Sequence, residues 1–558
     1  MSISIDRRAM LRGGAALGGT AALAAWFPAW AQSVSPGIVR PLPTVSGEDI
    51  HLRIAEQMMT IDGRAGHAIG INGTVPAPLI RLREGQKVRL HVENALGEDS
   101  SIHWHGLILP FQMDGVPGVS FPGIKPHSTF IYEFPVVQSG TYWYHSHSGL
   151  QEQLGHYGPI VIDPAGEDPI SSDREHVIVL SDHSPLHPHT IFRKLKQQGG
   201  YFNYQKQTLA GLLAGRDQSQ TERLEWGAMR MDPTDISDVT GSTYTYLVNG
   251  HGPRDNWTAL FRPGERVRLR IINASAMTTF NFRIPGLTLT VVQADGQPVR
   301  PVSADEIQIA VAETYDVIVQ SADDRAYTIV GENVDRSGMA RATLAPREGM
   351  TADVPPLRKR PLADMRDMGM GGMDHGAMGA AAAPGAEACP PEHAAMGHCT
   401  PDGAAAGTAG GVGRAPMKHS MRDLSFAPEV RDTPTVQSIS PMPVDRTGEP
   451  GQGLKEVGHK VLVYRDLMAV DRNPDVRAPS RTMRIHLTGN MEPRCARAFA
   501  HDADSSHRQH GTLYVGVRRG EAERGEGADP VHRWRARARH ARQRHDDGTS
   551  NPSTWPLL

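Results

Sequence analysis

Cysteine is nearly absent from this 558-residue chain: Cys389, Cys399 and Cys495 are the only three. That is too few for a disulfide framework. Charge of one sign is also lacking. The formal net charge is −3, with 58 basic and 61 acidic residues, so no basic excess points to nucleic acid as a partner. Helical periodicity is scarce. Beyond the N-terminus, no apolar run is long enough to cross a bilayer, so no membrane span is expected in the mature form. By contrast, 58 glycines and 42 prolines make the chain turn-rich and favour an all-β design.

The N-terminus reads "IDRRAMLRGGAALGGTAALAAWFPAWAQ". Arg7 and Arg8 precede a short, weakly apolar Gly/Ala stretch, and "AWA" at 29–31 fits a small-x-small cleavage site. Residues 1–31 therefore read as a twin-arginine export signal with the periplasm as destination.

Strand patterns follow. "KVRLHVENAL", "STFIYEFPV" and "GTYWYHSH" mark a β-domain over 42–165. "GERVRLRIINAS", "LTLTVVQADGQPV" and "TYDVIVQS" mark a second over 175–348. "GQKVRLHVENAL" at 85–96 resembles "GERVRLRIINAS" at 264–275, which suggests a repeated unit. Residues 349–435 form a Met/Gly/Ala-rich linker without the large hydrophobes a core needs. From "HKVLVYRDLMAV" to "RTMRIHLTG" strand pattern returns, so 436–492 is expected to open a third domain.

Two short motifs carry chemistry. "SIHWHG" sets His103 and His105 two apart, and "YHSHSG" does the same for His145 and His147. In a strand, residues i and i+2 face one way, so each pair presents two imidazoles to one side. Two such strands side by side make a four-His metal pocket, and imidazole suits Cu, Zn, Fe and Ni. A zinc enzyme on these pairs would want a general base at suitable spacing, which is missing. In the linker, Met365, Met368, Met370, Met373, His375 and Met378 are soft ligands that select Cu(I). They suit weak, multi-site capture, which His398 and Cys399 could join.

"HWHG" followed by "HSH" resembles the N-terminal half of the copper-ligand set of multicopper oxidases. "QMDGVPGVSFPGI", "NYQKQTLAG", "WGAMRMDPTDISDV", "LFRPGERVRLRIINASAMTTFNFRIPGL" and "IAVAETYDVIV" are similar to the periplasmic copper-resistance protein A group of that family. The resemblance covers about 42 to 492 and implies cupredoxin-like β-sandwich domains, two complete and a third incomplete here. It implies that His103 ligates a type 2 copper and that His105, His145 and His147 ligate a type 3 pair. Asp114 matches an acidic position thought to relay protons. It further implies oxidation of Cu(I) or phenolic donors with O2 reduced to water, and a periplasmic copper carrier as partner.

The family also needs C-terminal motifs resembling "HPxHLHG" and "HCHxxxHM", which supply the other four cluster histidines and the type 1 site with its Cys. Neither occurs in these 558 residues. Residues 493–558 contain no Ile, Met or Lys. Back-translated and read one base out of frame, Pro493 to Gly511 permits "PDVRAPSRTMRIHLTGNME", which is residues 474–492 again. The implied lesion is a tandem duplication of 58 nucleotides. In the same frame "GTSNPSTWP" permits "EHPIHLHG". The tail 493–558 is thus expected to be out of frame and disordered, and the chain to be a truncated, inactive oxidase. The alternative is a non-catalytic protein that sequesters copper through the Met-rich insert.

Overall fold

The computed structural model describes residues 37–228, 231–364, 366–367, 445–472, 477–478, 483–488 and 514–519. They fall into two compact units. The first holds both complete sandwiches. In the domain expected over 42–165, nine strands form: β1 (Thr44–Ser46), β2 (Asp49–Ile61), β3 (Arg64–Ile71), β4 (Leu79–Arg83), β5 (Lys87–Asn94), β6 (His103–His105), β7 (Ser128–Pro135), β8 (Gly140–His145) and β9 (Tyr157–Asp163). One sheet runs β3-β2-β5-β7, the other β1-β4-β9-β8-β6. Alternation explains the packing. In β5, Val88, Leu90 and Val92 point into the core, while the alternate residues Lys87, Arg89 and Glu93 stay exposed. Their partners from the facing sheet include Ile80, Trp104, Tyr144 and Ile160.

The second sandwich repeats the plan with six strands facing five. Its strand Arg266–Asn273 pairs antiparallel with Thr314–Gln320, as β5 does with β7. The sequence repeat therefore maps to equivalent strands. Helices at Pro188–Gln197, Leu209–Leu213 and Gln220–Ala228 are additions that the sequence pattern did not announce. A run of ion pairs joins the two sandwiches. Arg81 reaches Asp163 at 2.7 Å and Glu175 at 2.5 Å, Glu175 meets Arg270 at 2.9 Å, and Arg270 meets Asp316 at 2.9 Å. Among the described residues no helix is long and apolar enough to cross a membrane.

The stretch "HKVLVYRDLMAV" departs from its expected strand. Residues 446–472 belong to the first unit, with only isolated bridges, Glu306 to Val461 and Val299 to Ala469, and a 3-10 turn at Tyr464–Asp466. Burial supplies the reason: Leu454, Val461 and Leu462 are 1 %, 7 % and 8 % exposed, and Leu462 joins the second sandwich's core. Val461 and Leu462 are covered by docking rather than by a new sheet, while Tyr464, Met468 and Val470 stay exposed.

In the second unit, Met483–Thr488 forms the strand expected from "RTMRIHLTG" and pairs antiparallel with Tyr514–Arg519. The tail was expected to lack regular structure, so this strand is a difference. Its sequence, "YVGVRR", is rich in β-formers.

Candidate metal centre

β6 is the edge strand of its sheet and pairs with β8 so that His103 stands opposite His145 and His105 opposite Trp143. This register turns two separate H-x-H motifs into one cluster. Ligand nitrogens of His103, His105 and His145 all lie within 4.8 Å of one another. His147 completes the group, its ring centroid 4.7 Å from that of His103 and 4.9 Å from that of His145. The two pairs do not share one origin, however. β8 ends at His145, so His147 stands just past the strand and is not held by the sheet.

Hydrogen bonds fix which nitrogens face the centre. His103 Nδ1 donates to the carbonyl oxygen of Asp114 at 2.7 Å, which leaves Nε2 as the free donor atom. The Asp114 carboxylate lies 3.5 Å from the same Nδ1. His105 Nδ1 and His145 Nε2 stand 3.3 Å apart, within hydrogen-bond reach, so the two rings turn these nitrogens toward each other. On its other edge, His145 Nδ1 lies 3.4 Å from Glu152 Oε2. The Trp143 indole stacks on the His145 ring at 4.0 Å and 8°.

Burial keeps the rings of His105, His145 and His147 neutral. It is the main cause that lowers His105 to about 4, with help from the neighbouring His145, His103 and His147. Burial and the nearby His103 lower His145 to about 3. His147, at the rim, is lowered to about 4 by partial burial and then by His145 and His103. Glu152 is pushed up to about 7 by burial, against the pull of His147. Neutral imidazole is the ligating form, which suits these three rings to a soft or borderline cation. The residues fit copper: nitrogen donors, close convergence and, at His103, a tautomer fixed from behind.

Of the residues singled out in the sequence, the four histidines and Asp114 are brought together. Met365, Met368, Met370, Met373, His375 and Met378 lie outside the described residues. The sequence reading missed Gln151, Glu152 and the fully buried His156, all within "LQEQLGH" immediately after the second pair. Polar residues following a metal-ligand motif, on a turn that must pack against it, were the available signal.

Known proteins resemble this chain over most of its length. Residues 53–167 and 175–349 each match a family model described as multicopper oxidase. A copper resistance protein A homolog from Pseudomonas syringae pv. tomato is 47 % identical over 498 residues, spanning 88 % of this chain and 82 % of the relative. Copper resistance protein A of Escherichia coli is 45 % identical over 517 residues, spanning 88 % and 83 %. A laccase structure from Botrytis aclada is similar at 26 % identity and a TM-score of 0.44, over 58 % of this chain and 56 % of that one. With matches over both sandwiches and imidazole pairs gathered at one edge of the first, the chain belongs to the multicopper oxidase family.

Proposed function

We propose that this chain is a periplasmic copper-resistance protein whose His103 holds a type 2 copper and whose His105, His145 and His147 serve a type 3 pair. The observation that carries this is the convergence of three ligand nitrogens within 4.8 Å at the β6–β8 edge. Copper is the family's cofactor, and when bound it supplies the reduction of O2 to water at the expense of a reducing donor. The protein's own part is positional. Asp114 fixes the His103 tautomer through its carbonyl, and its carboxylate, beside the same ring, delivers protons to the centre. The donor is Cu(I) or a phenol, and a periplasmic carrier brings the copper. The twin-arginine signal at 1–31 fits export of a protein that has already folded. Thioethers of Met365, Met368, Met370, Met373 and Met378, with His375, capture Cu(I).

A specific observation favours a non-catalytic form of this reading for the 558 residues as they stand. All four imidazoles of the centre come from one sandwich, and the sequence carries neither the second histidine set nor the Cys-containing type 1 motif. Four imidazoles are too few to hold three coppers, and a type 1 thiolate, the route by which electrons enter, is not in a matching motif among these residues. This product then sequesters copper rather than reducing O2.

Copper loading of the purified chain tests both. We expect fewer than three tightly held coppers per chain, no blue copper–thiolate absorbance, and O2 uptake at background with Cu(I) or a phenol. H103A with H145A should remove tightly held Cu(II). Three or more tightly held coppers together with donor-dependent O2 uptake would overturn the inactive-product reading. Unchanged Cu(II) binding in the double variant would overturn the site itself.

A further inference from the structure

We propose that Gln151 is a positioning residue for the imidazole cluster, its carboxamide tying the His145–His147 segment to the lead-in of the His103–His105 strand. The proposal rests on the copper-site reading above.

His145 is positioned by the β8 ladder, but His147 is past the strand's end and needs another support. Its backbone N–H donates to Ser101 Oγ at 3.0 Å, and Ser148 Oγ donates to the same oxygen at 2.9 Å. Ser146, between the two ligands, accepts from Ser148 N at 3.0 Å. Gln151 closes this network. It is 3 % exposed. A primary amide offers two acceptor lone pairs and two donor hydrogens, and here all four are used. Oε1 accepts from Ser100 Oγ at 2.8 Å and Ser146 Oγ at 2.9 Å. Nε2 donates to Glu98 Oε1 at 2.8 Å and to the Asp99 carbonyl at 2.9 Å.

One side chain therefore grips residues 98–100, which lead into β6, and residue 146, which leads into His147. A flipped amide would set its oxygen against the Glu98 carboxylate and the Asp99 carbonyl, both acceptors, so the network favours one orientation. Buried and fully satisfied, it fixes the spacing between the ligand pairs, and outer partners of this kind govern metal affinity.

Q151E tests this in the full-length chain. The replacement has the same shape and keeps an acceptor for the two serines. It loses both donors and sets a carboxylate against Glu98. Adding E98Q reverses donor and acceptor across that contact and restores it. Cu(II) affinity is read by competition with a chelator of known strength. Coordinated nitrogens are counted by electron paramagnetic resonance, and the apo melting temperature is recorded beside them. We expect Q151E to weaken the tightest Cu(II) site by about 10- to 100-fold with fewer coordinated nitrogens. The Q151E/E98Q double variant should regain most of that affinity and the nitrogen count. H147A serves as the reference for losing the ligand. If H147A weakens Cu(II) binding but Q151E does not, or if E98Q fails to rescue Q151E, the positioning role is overturned. If H147A and H103A both leave Cu(II) affinity unchanged, the copper-site reading itself fails instead.

Discussion

Gly115 illustrates how a missing side chain supports the centre. It follows Asp114, whose carbonyl receives the His103 ring, and it has φ +82°. A Cβ there would stand 1.7 Å from the Ile102 carbonyl oxygen and 3.1 Å from the His103 Cα. The obstacle is backbone on both counts, so no side chain can yield. G115A is expected to cost about 2–5 kcal/mol, combining left-handed strain with overpacking. Urea denaturation of the apo protein measures it, and Cu(II) affinity should fall in parallel because His103 must shift. A cost under about 0.5 kcal/mol, the range of neutral surface changes, would contradict the packing described. At this scale the ligands were legible and their supports were not. His-x-His spacing is a local signal. The role of Ser100, Ser101 or Gln151 depends on partners some fifty positions away, brought near only by the β6–β8 pairing. His147 sits between these cases: the sequence identified it as a ligand but placed it in a strand that ends two residues earlier.

Among the elements, β8, buried along its whole length, was announced by its β-forming residues, whereas alternation announced β5 and β7, whose one buried face leaves a period-2 trace. The same signal misled at 459–470, since apolar residues that dock onto an existing sandwich alternate much as a strand does. What holds that segment is charge that sequence inspection does not pair. Glu306 and Glu332, both fully buried, face Arg283 from their own sandwich, and Arg358 bridges them from the arm before the Met-rich stretch. His459, from the arm after it, lies 2.6 Å from Glu306. Arg336 ties both arms as well, donating to the carbonyls of Lys359 and Gly453. Both flanks of the Met-rich stretch are thus fastened to one sandwich. R358L should leave two buried carboxylates undercompensated and destabilise the second sandwich by about 3–5 kcal/mol. Chemical denaturation reads the loss, and proteolytic cleavage within 350–362 and 446–470 should accelerate as the arms detach. If the arms stayed as resistant as in the parent chain, the ionic cluster would not be what anchors them.

For the whole molecule, the consequence lies in where the ligands sit relative to the fold. Two sandwiches are complete in themselves, and the centre is built on one edge of the first, from two adjacent strands and the turn that follows. Cu(II) held there would tie β6 to β8 and to His147, with no second-sandwich residue among the clustered imidazoles. A ligand that binds only the native state stabilises it by about 2.7 kcal/mol at a hundredfold excess over Kd. Hydrogen exchange should localise that gain. With Cu(II) present, amides in β6, β8 and the 146–154 turn should exchange more slowly, while those in 266–345 should change little. The H103A/H145A variant should give the same exchange with and without the metal. Uniform protection across both sandwiches, surviving in that variant, would mean that copper acts elsewhere and that the imidazole edge is not the site that matters.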